Sequence, residues 1–195
     1  MNSKSWLIGI SGTNGAGKDT VSEMISTIFN FQFISVTSIL RDEASRRGLT
    51  IDRSNTRLIS GEWRKKYGPT VLVDRAIEDY LKHKNDFNGL VVSSIRNSSE
   101  AIKIHELKGL IIWVDANPRF RYDRIQANLV NRSRIANDKI SYQKFLADEK
   151  EEMQLSANNT TLDMINVKNQ ADIIIINEYS RNHLKLELTK FLSQN

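Results

Sequence analysis

The sequence contains no cysteine and only 2 prolines among its 195 residues. Without thiols the chain has no disulfide framework, no cysteine nucleophile and no zinc site built from cysteines. The 3 histidines, His83, His105 and His183, stand far apart in the sequence, so we expect no structural metal site. A content of 39% hydrophobic and 26% charged residues excludes collagen-like and largely disordered chains. The sequence therefore predicts a globular protein.

Long hydrophobic runs are absent as well. Apolar stretches such as Leu110–Val114 and Ile173–Ile176 are far shorter than the roughly 20 residues that cross a bilayer. The N-terminal segment has one lysine and a short apolar stretch that leads straight into a glycine-rich loop, which is not the layout of a signal peptide. We therefore expect a cytoplasmic protein with no membrane partner.

The charge balance is basic, with 28 Lys and Arg against 23 Asp and Glu and a net charge of +5. Such a balance suits anionic partners, either phosphates or nucleic acid, but a solvated basic surface is the favoured explanation of the charge alone. The sequence also has no internal repeat and no linker rich in Pro, Gly or Ser. We therefore expect one domain over residues 1–195, present as a monomer or a weak dimer.

Apolar, β-branched segments of strand length alternate along the chain with segments of helical period. The five predicted strands are Trp6–Ile10, Phe31–Val36, Leu90–Ser94, Leu110–Val114 and Ile173–Ile176. Between the third and fourth, Asn97 followed by Glu100 predicts a helix that begins with a capping box. This alternation is typical of a parallel sheet covered by helices. The sequence therefore predicts an α/β fold.

A glycine-rich loop joins the first predicted strand to the first helix. Residues 12–19, with the sequence GTNGAGKD, match the phosphate-binding loop at every position but the last. In that loop backbone N–H groups surround phosphate oxygens, the next helix contributes its positive end, and Lys18 would reach the β and γ phosphates. A plain strand-to-helix turn would explain neither the glycine spacing nor the lysine. The predicted nucleotide-binding residues are Gly12, Asn14, Gly15, Ala16, Gly17, Lys18, Asp19 and Thr20.

The last position of the loop differs from the usual motif, and this difference affects the predicted Mg²⁺ site. The usual Ser or Thr offers a hydroxyl to Mg²⁺, whereas this chain has Asp19 there, with Thr20 immediately after it. Asp19 could bind the metal or hold its waters. Alternatively, Asp19 is a first-turn acid favoured by the helix dipole, and Thr20 supplies the hydroxyl one residue along. The sequence leaves both interpretations open.

Further motifs follow the loop in order. Residues 34–41 (ISVTSILR) resemble the adenylate kinase pattern ISTGDMLR, and residues 93–96 (SSIR) resemble the DGxxR segment after the third strand. The chain thus resembles P-loop kinases of the nucleoside monophosphate kinase group, and more distantly dephospho-coenzyme A kinase. From Arg41 to Pro69 it also resembles an uncharacterised archaeal family of nucleotide-kinase-like proteins. The resemblance implies a P-loop three-layer sandwich with a five-stranded parallel sheet and the active site at the carboxyl ends of the strands.

The resemblance also implies roles for individual side chains. Arg41 and Arg96 would hold the acceptor's phosphate. Ser38 and Arg41 would belong to an acceptor-binding insertion at about residues 38–85. Residues 115–118 (DANP) and 123–125 (DRI) resemble the segment that leads to a lid, where arginines contact the transferring phosphates. Arg124 matches that role. A short lid is expected at about residues 128–140, and the catalytic arginines expected in it are Arg132 and Arg134.

Two serines depart from the family pattern, because Ser38 and Ser93 stand where the family usually has Asp. We interpret the second as an exchange in which Asp19 entered the loop while Ser93 replaced a neighbouring acid. One carboxylate and one hydroxyl would then remain near Mg²⁺. The candidate metal ligands are therefore Asp19, Thr20 and Ser93.

Together these features predict an ATP- and Mg²⁺-dependent kinase that phosphorylates a small phosphorylated acceptor, in first place a nucleoside monophosphate. In a second hypothesis the acceptor is a hydroxyl, as in dephospho-coenzyme A kinase. That reaction normally needs a carboxylate base, and Ser38 occupies the acid position. A third hypothesis is a nucleotide-dependent binding module or regulatory ATPase associated with RNA. No aromatic-rich RNA motif supports it, so nucleic acid is not the favoured partner.

Overall fold

The computed structural model describes residues 5–127, 140–153 and 163–194. Its strands are β1 (Leu7–Gly12), β2 (Phe31–Ser35), β3 (Gly89–Ser93), β4 (Leu110–Asp115) and β5 (Ile173–Ile176). In the described part the helices are α1 (Lys18–Phe29), α2 (Val36–Arg46), α3 (Arg53–Tyr67), α4 (Val71–His83), α5 (Ser98–Glu106), α6 (Pro118–Ala127), α7 (Tyr142–Glu152), α8 (Met164–Asn169) and α9 (Arg181–Gln194).

The five strands form one parallel sheet in the order β2-β3-β1-β4-β5. The first strand lies at the centre, where Gly9 aligns with Val92 of β3 and Ile111 of β4. At the end of the pairing between β2 and β3, Ser35 aligns with Ser93. Because parallel strands all finish at the same edge of a sheet, the segments that follow β1, β3, β4 and β5 converge there.

Helices cover both faces of the sheet. Buried side chains of α2, α3, α4, α5 and α8 pack on one face, and those of α1 and α9 pack on the other. Successive residues of β1 supply the two cores, since Leu7 belongs to the first and Ile8 to the second. A strand that is buried on both faces needs apolar residues throughout, which explains why β3 and β4 are continuous hydrophobic runs. The result is the predicted three-layer sandwich.

The predicted strands agree with the structure to within one or two residues at each end. The largest difference is at β1, which continues to Gly12 and so runs directly into the glycine-rich loop. The prediction of an α/β fold with a five-stranded parallel sheet is confirmed. The capping box is present at the start of α5. The Asn97 side chain accepts a hydrogen bond from the backbone of the first turn, and the Glu100 side chain accepts one from the backbone N–H of Asn97. Within the described ranges, no helix is both long and apolar enough to cross a membrane.

Candidate active site

The glycine-rich loop begins where β1 ends and finishes at the first turn of α1. Gly12 has a φ of 140° and lies against the backbone carbonyl of Val114 in β4, where a Cβ atom would collide. Gly17 adopts a left-handed conformation with a φ of 92° as the N-cap of α1. Residues with side chains rarely adopt either conformation. The glycine spacing therefore follows from the backbone path that the loop takes from β1 to α1, close against β4.

Lys18 folds back over this loop. Its ammonium group donates hydrogen bonds to the carbonyls of Gly12 and Thr13, at 3.1 and 2.7 Å. The hydroxyl of Thr13 in turn donates to Oδ1 of Asp115 at 2.7 Å, which ties the loop to the end of β4. The positive charge of Lys18 thus lies at the start of α1, where unpaired N–H groups and the helix dipole also favour anions.

Asp19 and Ser93 meet at the carboxyl edge of the sheet. Asp19 lies in the first turn of α1, Ser93 is the last residue of β3, and the Ser93 hydroxyl donates a 2.8 Å hydrogen bond to Oδ1 of Asp19. Both groups offer hard oxygen atoms, which Mg²⁺ prefers, and Mg²⁺ usually takes only one or two carboxylates besides phosphate oxygens. This pair fits such a site, although no cluster of three His, Cys, Asp or Glu occurs in the described residues.

A cavity of about 1250 Å³ opens beside the loop. On the predicted nucleotide side it is lined by Asn14, Gly15, Gly17, Lys18, Asp19 and Thr20, and on the predicted acceptor side by Ser38, Arg41 and Arg96. Arg124 of α6 also lines it. Gly12, Ala16 and Ser93 lie outside its lining, and Ser93 reaches the cavity only through Asp19. The structure therefore brings the predicted donor and acceptor residues to one space.

Two arginines of α6 have different surroundings. Arg124 donates from Nη2 to the carbonyl of Asn177, just after β5, at 2.8 Å. Arg121, one turn earlier, is almost fully buried under the loop, where it donates to the carbonyls of Ala116 and Asn14 and pairs with Glu149 of α7. Arg132, Arg134 and nearly all of the predicted lid lie outside the described residues.

Asn177 is a contact to the loop that the sequence did not reveal. Its side-chain amide donates to the carbonyl of Ala16 at 2.8 Å, and the same amide nitrogen lies 2.5 Å from where a Cβ atom of Gly17 would be. Together with its backbone contact to Arg124, Asn177 therefore connects the end of β5 to the loop and to α6. No motif marks the residue, since its only signal is a position directly after a predicted strand.

A second set of residues missed by the sequence surrounds Arg96. Glu152, the last residue of α7, contacts Arg96 at 3.4 Å and Arg57 of α3 at 3.0 Å. Burial raises the pKa of the Glu152 carboxyl, but attraction by Arg96, Arg53, Arg57 and Lys18 outweighs burial and leaves the pKa below its usual value. The carboxylate therefore stays charged.

The backbone of Arg96 is held by a buried ion pair. Glu100 accepts hydrogen bonds from the backbone N–H groups of Arg96 and Asn97 at 3.1 and 3.2 Å. Its other oxygen accepts from Arg64 of α3 at 2.6 Å, and Arg64 also donates to Ser60. Both members of the pair are buried. Helix α3 is therefore attached to the turn that presents Arg96.

Comparison with known proteins gives a consistent pattern. A family model described as an AAA domain matches residues 8–155. A UPF0200 protein of Pyrobaculum aerophilum is 28% identical over 189 residues, covering 95% of this chain and 96% of its own. One from Methanocaldococcus jannaschii is 25% identical over 175 residues, covering 89% and 82%. These relatives confirm the resemblance to an archaeal family noted above.

Solved structures with the same arrangement of elements include two proteins of comparable length. Shikimate kinase from Bacteroides thetaiotaomicron has a TM-score of 0.58 at 13% identity, covering 96% of this chain and 98% of its own. TT1252 from Thermus thermophilus has a TM-score of 0.58 at 18% identity, covering 98% of each chain. At these identities the similarity establishes a kinase-like P-loop fold and nothing finer.

Proposed function

The chain belongs to the AAA domain family, and from that premise we propose that it transfers the γ-phosphoryl group of ATP to a small phosphorylated acceptor, in first place a nucleoside monophosphate. Proteins with a kinase-like P-loop fold include nucleotide-binding phosphotransferases. The observation that carries the proposal is the shared cavity, which has the loop and Lys18 on one side and Arg41 and Arg96 on the other.

The residues on the donor side would bind and orient the triphosphate. The loop and the first turn of α1 present backbone N–H groups, and Lys18 adds a charge that can move from its own loop carbonyls to phosphate oxygens. Asp19 and Ser93 would hold Mg²⁺, with Thr20 in the same helical turn as the alternative hydroxyl. When bound, Mg²⁺ would neutralise charge on the transferring group.

The residues on the acceptor side would place the second phosphate in line with the first. Phosphoryl transfer needs positioning and charge neutralisation more than covalent chemistry, and guanidinium groups bind phosphate oxygens in pairs. Arg41 lies on α2 and Arg96 just after β3, so they approach the cavity from different elements. Arg124, whose Nη2 group donates to the carbonyl of Asn177, would act from the donor side. The lid residues Arg132 and Arg134 belong to the proposal as predictions from the sequence.

A coupled assay of ADP release tests the proposal directly. The purified protein with Mg·ATP is offered ribo- and deoxynucleoside monophosphates, and dephospho-coenzyme A represents the hydroxyl acceptors. We expect turnover with one class of monophosphate and its loss in Lys18→Ala. The matched control is Lys144→Ala, which removes a lysine from the exposed side of α7. ATP binding without any stimulating acceptor would refute the kinase and favour the nucleotide-dependent binding module.

A further inference from the structure

One carboxylate of this protein lies among four cationic side chains. Oε1 of Glu152 is 3.0 Å from Arg57 and Oε2 is 3.4 Å from Arg96, and the charges of Arg53 and Lys18 also attract the carboxylate. The Glu152 side chain is only 14% exposed. Each oxygen therefore faces a different guanidinium group, which is how paired arginines bind a carboxylate or phosphate group of a ligand.

This cluster adjoins the acceptor half of the candidate site. Arg96 both contacts Glu152 and lines the cavity, whereas Arg57 and Arg53 lie one helical turn apart on α3. Lys18 connects the cluster to the donor loop. A group held by Arg57 and Arg96 would thus lie beside the donor phosphates, where the proposed reaction needs the acceptor's anionic group.

The contacts of Glu152 differ from those of an ordinary internal brace. The side chain of Arg57 is 56% exposed, so water can solvate it without Glu152, and an exposed ion pair adds little stability. Helix α7 already has a firmer attachment, because Glu149 binds the buried Arg121 under the loop. Helix α7 therefore has an attachment besides Glu152. What it supplies is a negative charge at a place where several positive charges would otherwise repel one another.

We propose that the Glu152 carboxylate holds the place of the acceptor's anionic group, and that a phosphomonoester displaces it on binding. The proposal rests on the function proposed above and names the part of the acceptor that Arg57 and Arg96 would receive. A phosphomonoester carries about two charges at neutral pH against one on Glu152, so it pairs better with several cations. Glu152 ends α7, so its side chain can turn away while Glu149 keeps the helix in place.

Calorimetric titration with inorganic phosphate, without nucleotide or acceptor, tests the displacement. We expect Glu152→Gln to bind phosphate about tenfold more tightly than the wild type, because the internal competitor no longer reduces the fraction of open sites. The matched control is Glu151→Gln, which removes the same charge from the exposed neighbouring position and should leave the affinity unchanged. Equal or weaker binding by Glu152→Gln would overturn the proposal, since Glu152 would then support the arginines.

A double-variant cycle separates this site from the phosphate-binding loop. Because Glu152 also attracts Lys18, its removal strengthens phosphate binding at the loop too, but that part of the gain does not depend on Arg57. In an Arg57→Met background we expect most of the gain to disappear, because the cluster has then lost one of its two guanidinium groups. A gain of the same size with Arg57 absent would overturn the proposal, because the phosphate would then be bound elsewhere. If Glu152→Gln gains affinity but the wild type transfers no phosphoryl group, the anion site stands and the proposed kinase falls.

The wild-type protein offers an independent readout that no folding defect can obscure. Displacement of Glu152 releases the last turn of α7 from Arg57 and Arg96, so saturating phosphate should speed amide hydrogen exchange at residues 149–153 by a few-fold. Local opening of this kind is what exchange rates measure. Unchanged or slower exchange in that segment would overturn the proposal.

Discussion

The hydroxyl of Ser93 donates a 2.8 Å hydrogen bond to Oδ1 of Asp19. The two residues are 74 positions apart in the sequence, and they meet because β3 pairs with β1 and the loop after β1 leads into α1. The contact is the geometry that the exchange hypothesis requires, since it places the acid of the loop beside the hydroxyl that ends β3. A carboxylate supplied from either position would reach the same place.

That symmetry gives the first prediction. Asp19→Ser leaves two hydroxyls and no anionic ligand, so we expect Mg²⁺-dependent transfer to fall by about 100-fold or more, because a catalytic metal is worth several kcal/mol. Adding Ser93→Asp returns a carboxylate and should restore part of the rate, measured over a Mg²⁺ series. Asp86→Ser, at an exposed position, is the control. Failure of the second change to rescue the first would refute the exchange.

The buried pair of Arg64 and Glu100 should dominate the stability of the acceptor side. Glu100→Gln leaves Arg64 charged and buried without an anionic partner, which costs about 3–5 kcal/mol in comparable cases. The double variant Arg64→Met with Glu100→Gln removes the stranded charge and keeps an acceptor for the N–H groups of Arg96 and Asn97. We expect urea unfolding to show most of the loss recovered. A double variant as unstable as the single one would contradict this account.

Some features of this site follow from local sequence and others do not. The glycine-rich loop and the Asn97–Glu100 capping box involve neighbours in the chain, so spacing alone predicts them. Arg96 was also predicted, but its partner Glu152 was not. Nothing in the sequence of α7 separates Glu152 from Glu149 or Glu151. Their partners are set by how α7 packs against α6 and α3, which is a property of the tertiary structure.

Stability at acidic pH should depend slightly on Glu43. Hydrogen bonds from Arg46 and Arg47 lower the pKa of the Glu43 carboxyl from 4.5 to about 2. Because the folded-state pKa is the lower one, the stabilisation is present above pH 4.5 and is lost as the pH falls towards 2. Its first partner, Arg46, is largely exposed to solvent, so the effect is under about 1 kcal/mol.

The comparison that checks this is between the wild type and Glu43→Gln. We expect the wild type to have the larger free energy of unfolding at pH 7, and the difference to shrink at pH 4 and again at pH 3. Glu106→Gln changes an exposed acid at the end of α5 and should show no such trend. A difference that persists undiminished at pH 3 would mean that Glu43 stabilises the fold in some other way.

Asn177 should affect nucleotide binding without affecting the acceptor. Asn177→Ala removes the hydrogen bond to the Ala16 carbonyl and so loosens the loop. One such bond is worth about 1 kcal/mol. Its loss should raise the dissociation constant for ATP roughly fivefold. Asn166→Ala, on α8 and bonded to Asp163, provides a control of the same chemistry outside the loop. Unchanged ATP affinity would show that the loop holds its shape without Asn177.

Arg41 offers the clearest separation of acceptor from donor. It lines the cavity from α2, and no hydrogen bond or ion pair links it to another described residue, so its charge is available to a ligand. Arg41→Met should raise the KM for the acceptor by about 10- to 100-fold, because hydrogen bonds to charged groups are worth about 1.5–3 kcal/mol. The KM for ATP should stay within about twofold, since the donor loop is untouched.

Arg119→Met, on the exposed side of α6, should change neither constant. An equal rise in both constants would place Arg41 with the nucleotide rather than with the acceptor, and would leave Arg96 to hold the acceptor's phosphate with Arg57.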